Sequence, residues 1–168
     1  MNAEVSIIMG STSDLPVMEE AAKILNELQI PFEINALSAH RTPDEVEKFA
    51  KSASGKGLKV IIAGAGMAAA LPGVIASMTS IPVIGVPIKA TMDGWDSLLS
   101  IVQMPPGIPV ATVGINAARN AGILAAQMLA LSNPELQKRL ITFKESLKEK
   151  VVKANQDLSK IKFDYKVS

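Results

Sequence analysis

The feature that most narrows the folds open to this chain is a repeated alternation of short apolar runs with longer helical patterns. Val5–Met9, Phe32–Leu37, Val60–Ala63, Val83–Val86 and Val110–Val113 read as strands, each followed by small or polar residues. After the first, Pro16 opens a helical pattern with Val17, Ala21, Ile24, Leu25 and Leu28 on one face. After the second, Thr42 and Glu45 read as a T-x-x-E capping box with Pro43 at the first helical position. That helix turns Val46, Phe49 and Ala50 inward and stops near Gly55-Lys56-Gly57. Further helices are expected around Leu71–Met78, Asp96–Val102 and Ala117–Leu131. The alternation predicts βαβ units and a parallel sheet. Right-handed crossovers then set the loops after the strands along one edge.

Composition narrows the chemistry. A chain of 168 residues fits a single α/β core, built here from aliphatic side chains because Phe, Trp and Tyr make up only 4%. With no cysteine and one histidine, disulfides, thiolate metal sites and a Cys nucleophile are excluded, and imidazole chemistry must run through His40. A net charge of +1 gives no reason to expect nucleic acid or an anionic membrane as a partner. No charge occurs between Lys59 and Lys89, a stretch long enough to span a bilayer, but Gly64, Gly66, Pro72, Gly73, Pro82, Gly85 and Pro87 would break a continuous helix. Glu4 and the lack of a basic start argue against a signal peptide over Met1 to Ile8. The expectation is a soluble, cytoplasmic protein.

Two segments are expected: an α/β domain over 1–133 and a helical extension over 134–168. The first carries 8 basic and 11 acidic side chains, the second 9 and 5. Asn133 before Pro134 is a cap signal. Beyond it Leu136, Leu140, Phe143, Leu147, Val151, Ala154 and Leu158 recur at intervals of 4, 3, 4, 4, 3 and 4, a narrow apolar seam. A seam of this length either packs on its own domain or reaches a neighbouring subunit, and a homo-oligomer is expected.

Ligands of open α/β sheets bind at the carboxyl ends of the strands. The first such loop offers Ser11, Thr12, Ser13 and Asp14, the second Ser38, His40 and Arg41, the third Gly64 and Gly66. Hydroxyls and amides at a helix start, with an arginine, suit a phosphate monoester, and Asp14 suits a ribose diol. Plain helix capping by Ser11, Ser13 and Asp14 is the alternative. Gly64-Ala65-Gly66-Met67-Ala68-Ala69 matches G-x-G-x-x-A, yet no acid follows at the end of the next strand, which speaks against a dinucleotide. The third strand ends in Ala63-Gly64, so a phosphoacceptor aspartate is missing there too. His40, the one side chain suited to moving protons near neutral pH, points to proton transfer on a phosphorylated small molecule.

Four segments stand together in order: Met9-Gly10-Ser11-Thr12-Ser13-Asp14, Ser38-Ala39-His40-Arg41-Thr42-Pro43, Ile62-Ala63-Gly64-Ala65-Gly66 with Leu71-Pro72-Gly73, and Ser97-Leu98-Leu99-Ser100-Ile101-Val102-Gln103-Met104-Pro105. Over residues 5–131 the chain closely resembles the PurE family of purine biosynthesis, in its class I form, the N5-carboxyaminoimidazole ribonucleotide mutases. The resemblance implies a flavodoxin-like three-layer α/β/α sandwich with a central parallel sheet and a long C-terminal helix. It also implies an octamer with active sites at subunit contacts. The implied reaction moves a carboxylate from the exocyclic nitrogen to carbon 4 of the imidazole without ATP, metal or organic cofactor. By position, Ser11, Ser38 and Arg41 would hold the phosphate of the nucleotide and Asp14 its ribose, with Gly10 and Ser13 beside them. Backbone around Ala65, Gly66 and Leu71 would close on the base, and His40 would serve as acid and then base. The class I pattern G-A-G-G-A-A-H-L-P-G is broken here, because Met67 stands at a glycine and Ala70 at the histidine. The alternatives are a class II relative that carboxylates aminoimidazole ribonucleotide directly with carbon dioxide, and a non-catalytic nucleotide-binding relative. Class II chains typically carry Arg and Ser after the first glycine, where this chain has Ala65-Gly66.

Overall fold

Five short strands pair side by side into one parallel sheet in the order β2-β1-β3-β4-β5. A computed structural model describes residues 2–167; Met1 and Ser168, the outer limits of the two expected segments, lie outside the described residues. The strands are β1 (Val5–Met9), β2 (Phe32–Ala36), β3 (Val60–Gly66), β4 (Val83–Ile88) and β5 (Ala111–Thr112). The helices are α1 (Leu15–Glu27), α2 (Pro43–Ser52), α3 (Leu71–Ala76), α4 (Trp95–Val102), α5 (Ala118–Ala130) and α6 (Pro134–Ser159). Short 3-10 turns at Thr12–Asp14 and Met92–Gly94 lead into α1 and α4.

Alternation along each strand divides the core into two layers, because successive side chains face opposite sides of the sheet. Val5, Ile7 and Met9 of β1 join Val60 and Ile62 of β3 under α1, α5 and the start of α6. Ile8, Ile61 and Ala63 face the other way, against Val46, Phe49 and Ala50 of α2, Leu71 and Ile75 of α3 and Ile101 of α4. The central strands β1, β3 and β4 are covered on both faces, which explains their nearly continuous apolar sequence. Each fully buried Ile, Leu or Met side chain contributes about 1.5–3 kcal/mol. Small residues on α5 (Ala118, Ala121, Gly122, Ala125) let it press close to α1.

Several expectations need correction. β3 runs on through Gly64-Ala65-Gly66, so these residues are strand rather than loop. A Cβ at Gly64 would collide with the Met18 sulfur of α1, and strand–helix packing accounts for that glycine. Thr42 is the residue before α2, as the capping signal implied, but its side chain makes no cap bond to the helix. Its hydroxyl is engaged backward, on Ser38. A missing side-chain cap forgoes about 0.5–2 kcal/mol. Asn133, by contrast, caps α6 as expected, accepting a bond from the Leu136 N–H at 3.1 Å. The α6 seam is covered only over its first turns: Leu136, Leu140 and Phe143 are buried in the core, while Leu147, Val151 and Leu158 are 43%, 70% and 59% exposed. Among the described residues, no helix is long and apolar enough to cross a membrane.

Candidate active site

The strand order places the site. β1 leads to β2 on one side, and the chain then returns to lay β3 on the other, so the loops after β1 and β3 diverge and leave a crevice. Met9, the last residue of β1, pairs with Ala36 at the end of β2 and with Gly64 of β3. β3 continues for Ala65 and Gly66, paired with Pro87 and Ile88 of β4, and this overhang forms one wall.

A cleft of about 550 Å³ opens there. One wall is polar, with Gly10, Ser11, Ser13 and Asp14 after β1 and Ser38, His40 and Arg41 after β2. The other is small and apolar, with Ala65, Gly66, Ala68, Ala70, Leu71 and, after β4, Ala90. The candidate site residues Gly10, Ser11, Ser13, Asp14, Ser38, His40, Arg41, Ala65, Gly66 and Leu71 all line this one cleft, whereas Gly64, Thr12 and the segment Ser97–Pro105 do not.

Hydrogen bonds tie the polar loops together. Arg41 Nη2 donates to the Gly10 carbonyl at 2.6 Å, joining the second loop to the first. Its Nε and its backbone N–H both donate to Ser38 Oγ at 3.3 Å. With those positions engaged, the other guanidinium hydrogens are available to an anion. In the first loop the Ser11 hydroxyl accepts the Ser13 N–H at 3.3 Å, and Ser13 Oγ donates to Asp14 Oδ1 at 3.5 Å. The capping role and the cleft position of Ser11 are therefore compatible. Burial raises the Asp14 carboxyl above its ordinary range; bonds from Ser13 and the Ser11 backbone and the charge of Arg41 work against that rise. His40 is exposed at the apex of the second loop.

Met67 is the one long flexible side chain of the apolar wall, 56% exposed at its rim. Its backbone is left-handed, φ 56°, a conformation that costs an L-residue about 1–2 kcal/mol. A glycine takes this conformation freely, whereas Met67 carries a side chain into it. Ala70 carries no polar group into the cleft, so His40 is the only imidazole present. Among the described residues, no three of His, Cys, Asp and Glu come together as a metal site. Sequence reasoning missed Ala90; reading the fourth strand-end loop together with the other three would have found it.

The family model described as AIR carboxylase matches residues 4–150. This chain belongs to that family. It is 57% identical to the N5-carboxyaminoimidazole ribonucleotide mutase of Thermotoga maritima, over 94% of this chain and 92% of that protein. It is 54% identical to the phosphoribosylaminoimidazole carboxylase of Schizosaccharomyces pombe, over 94% of this chain but 29% of that longer protein. A solved structure of Treponema denticola PurE shares its fold with a TM-score of 0.84 and 29% identity, over 92% of this chain and 97% of that one. The family and the flavodoxin-like parallel α/β architecture expected from the sequence are both borne out.

Proposed function

We propose that this chain is an enzyme of purine biosynthesis, converting N5-carboxyaminoimidazole ribonucleotide to 4-carboxy-5-aminoimidazole ribonucleotide with His40 as proton carrier. The observation that carries the reading is the meeting of His40, the only histidine, with Ser11, Asp14, Ser38 and Arg41 at one cleft of a chain this similar to known mutases. Ser11, Ser38 and Arg41 hold the phosphate, Asp14 accepts from the ribose hydroxyls, and Gly10 and Ser13 complete that end. Backbone of Ala65, Gly66 and Leu71 lies against the base.

The reaction balances without ATP, metal or organic cofactor. The carbamate C–N bond breaks, carbon dioxide leaves, and the His40 imidazolium gives its proton to the freed nitrogen. Carbon 4 then attacks carbon dioxide, and the neutral imidazole removes the proton from carbon 4. His40 ends as it began, as an isomerisation without net proton change requires. The apolar wall of Ala65, Ala68, Ala70 and Leu71 keeps water from the trapped carbon dioxide.

The same reading includes a homo-octamer. Trp95, Leu99 and Val102 on α4 and Leu147, Val151 and Leu158 on α6 are exposed apolar side chains that an assembly would bury. A charged nucleotide does not cross a bilayer unaided, so the reading takes the cytoplasm as the compartment. The deciding experiment offers either fresh N5-carboxyaminoimidazole ribonucleotide, or aminoimidazole ribonucleotide with bicarbonate. Rapid ATP-independent product from the first alone supports the mutase. Product from the second alone indicates a class II carboxylase, and saturable binding without turnover a non-catalytic relative.

A further inference from the structure

Thr42 stands where a helix cap belongs, yet its hydroxyl makes no bond to the first turn of α2. It closes the preceding turn instead. Thr42 Oγ1 accepts the Ser38 N–H at 3.0 Å and donates to the Ser38 carbonyl at 3.2 Å, and the Thr42 N–H reaches that carbonyl at 2.9 Å. Ser38 Oγ in turn accepts from the N–H and Nε of Arg41. Residues 38–42 are thereby closed into a ring with His40 at the apex. Both peptide groups of Ser38 are fixed in direction by one side chain. With its oxygen engaged as acceptor by Arg41, the Ser38 hydroxyl keeps its hydrogen to donate to an anion. Local rules of helix capping are set aside where a site demands it.

We infer that Thr42 is a positioning residue: its hydroxyl holds the Ser38–Thr42 turn in the geometry that presents His40 and Ser38 to one substrate. The inference deepens the mutase reading and rests on it. Phosphate binding is shared among Ser11, Ser38 and Arg41, whereas proton transfer depends on His40 alone. Loosening the turn should therefore fall mainly on kcat. Displacement of a reacting group by about 1 Å can cost on the order of 100-fold in rate.

The test compares Thr42→Val, which keeps the shape and loses the hydroxyl, with Thr42→Ser, which keeps the hydroxyl. Turnover of N5-carboxyaminoimidazole ribonucleotide and thermal melting are measured for both and for the parent. The expected result is a kcat lowered about 10- to 100-fold in Thr42→Val. KM should change by less than about threefold, Tm should stay close to the parent's, and Thr42→Ser should restore kcat. An active parent with an unaffected Thr42→Val overturns the inference alone. So does a loss that follows a fall in Tm and is not restored by serine. A parent without turnover on fresh substrate overturns the mutase reading, and the inference with it.

Discussion

His40 sits at the tip of a hydrogen-bonded turn, exposed to the cleft it lines, and the proposed chemistry asks it to be acid and then base. Since general acid–base groups contribute about 10²–10⁴ in rate, His40→Asn should lower kcat by that range. Calorimetric titration of the nucleotide should find its Kd within about threefold of the parent's. Retained turnover would remove His40 from the role. Asp14 makes a different prediction, because burial raises its carboxyl. A carboxyl raised on folding favours the protonated folded state. Its stabilising contribution is present below the ordinary carboxylate range and is lost as the pH rises through the raised value. Asp14→Asn should therefore melt at or above the parent temperature at pH 7.5, with the difference shrinking as the pH falls through the acid range. The same change should weaken nucleotide binding about 10- to 100-fold, the size of a lost charged hydrogen bond. A variant that melts lower at every pH would contradict the desolvation argument. Residue types in this site were legible in the sequence because serines, an aspartate, an arginine and a lone histidine ended neighbouring strands. The partners of Thr42 were not, since a T-x-x-E signal does not say whether the hydroxyl turns toward the helix or away from it.

Elements of this fold were readable where periodicity was strong and blurred where packing decided. The apolar run of β1 and the faces of α1 and α2 follow from side-chain spacing, and the burial of Ala21, Ile24, Leu25, Val46, Phe49 and Ala50 agrees with it. The end of β3 could not be read that way. Gly64-Ala65-Gly66 carries loop-forming glycines, yet pairing with β4 keeps it extended. Close approach of α5 to α1 is a second packing decision. A Cβ on Gly122 would meet Ile24 Cγ2 and stand 3.1 Å from the Ala21 carbonyl oxygen. Gly122→Ala gains helix propensity of up to about 1 kcal/mol, but crowding against backbone costs about 1–3 kcal/mol. A lowered Tm is the expected outcome in a thermal melt, and a raised Tm would show that α1 can shift to accept the methyl group.

For the molecule as a whole, the second half of α6 is the feature that the single chain leaves unexplained. Its first turns complete the core, but a 26-residue helix then carries exposed Leu147, Val151 and Leu158 away from it. A long polar helix with one apolar stripe gains most of its stability from packing that stripe against something. An octamer predicts a mass of about 142 kDa by light scattering, eight chains of 17.7 kDa. Substituting both Val151 and Leu158 by Asp should lower that mass if the stripe lies between subunits. A parent mass of one chain at all concentrations would refute the assembly.

Apolar periodicity, strand-end polarity and the count of one histidine determined the fold class, the edge that carries the site and the single imidazole available to it. These properties are local, written in the spacing of neighbouring residues. Tertiary structure alone decided that Gly64 serves packing against Met18, that Met67 is held left-handed at the rim, and that Arg41 bridges to Gly10. It alone decided that Thr42 clamps Ser38 rather than capping α2. Each of these depends on which atoms the crossovers bring within a few ångströms. Spacing along the chain carries no record of that distance until the sheet has formed.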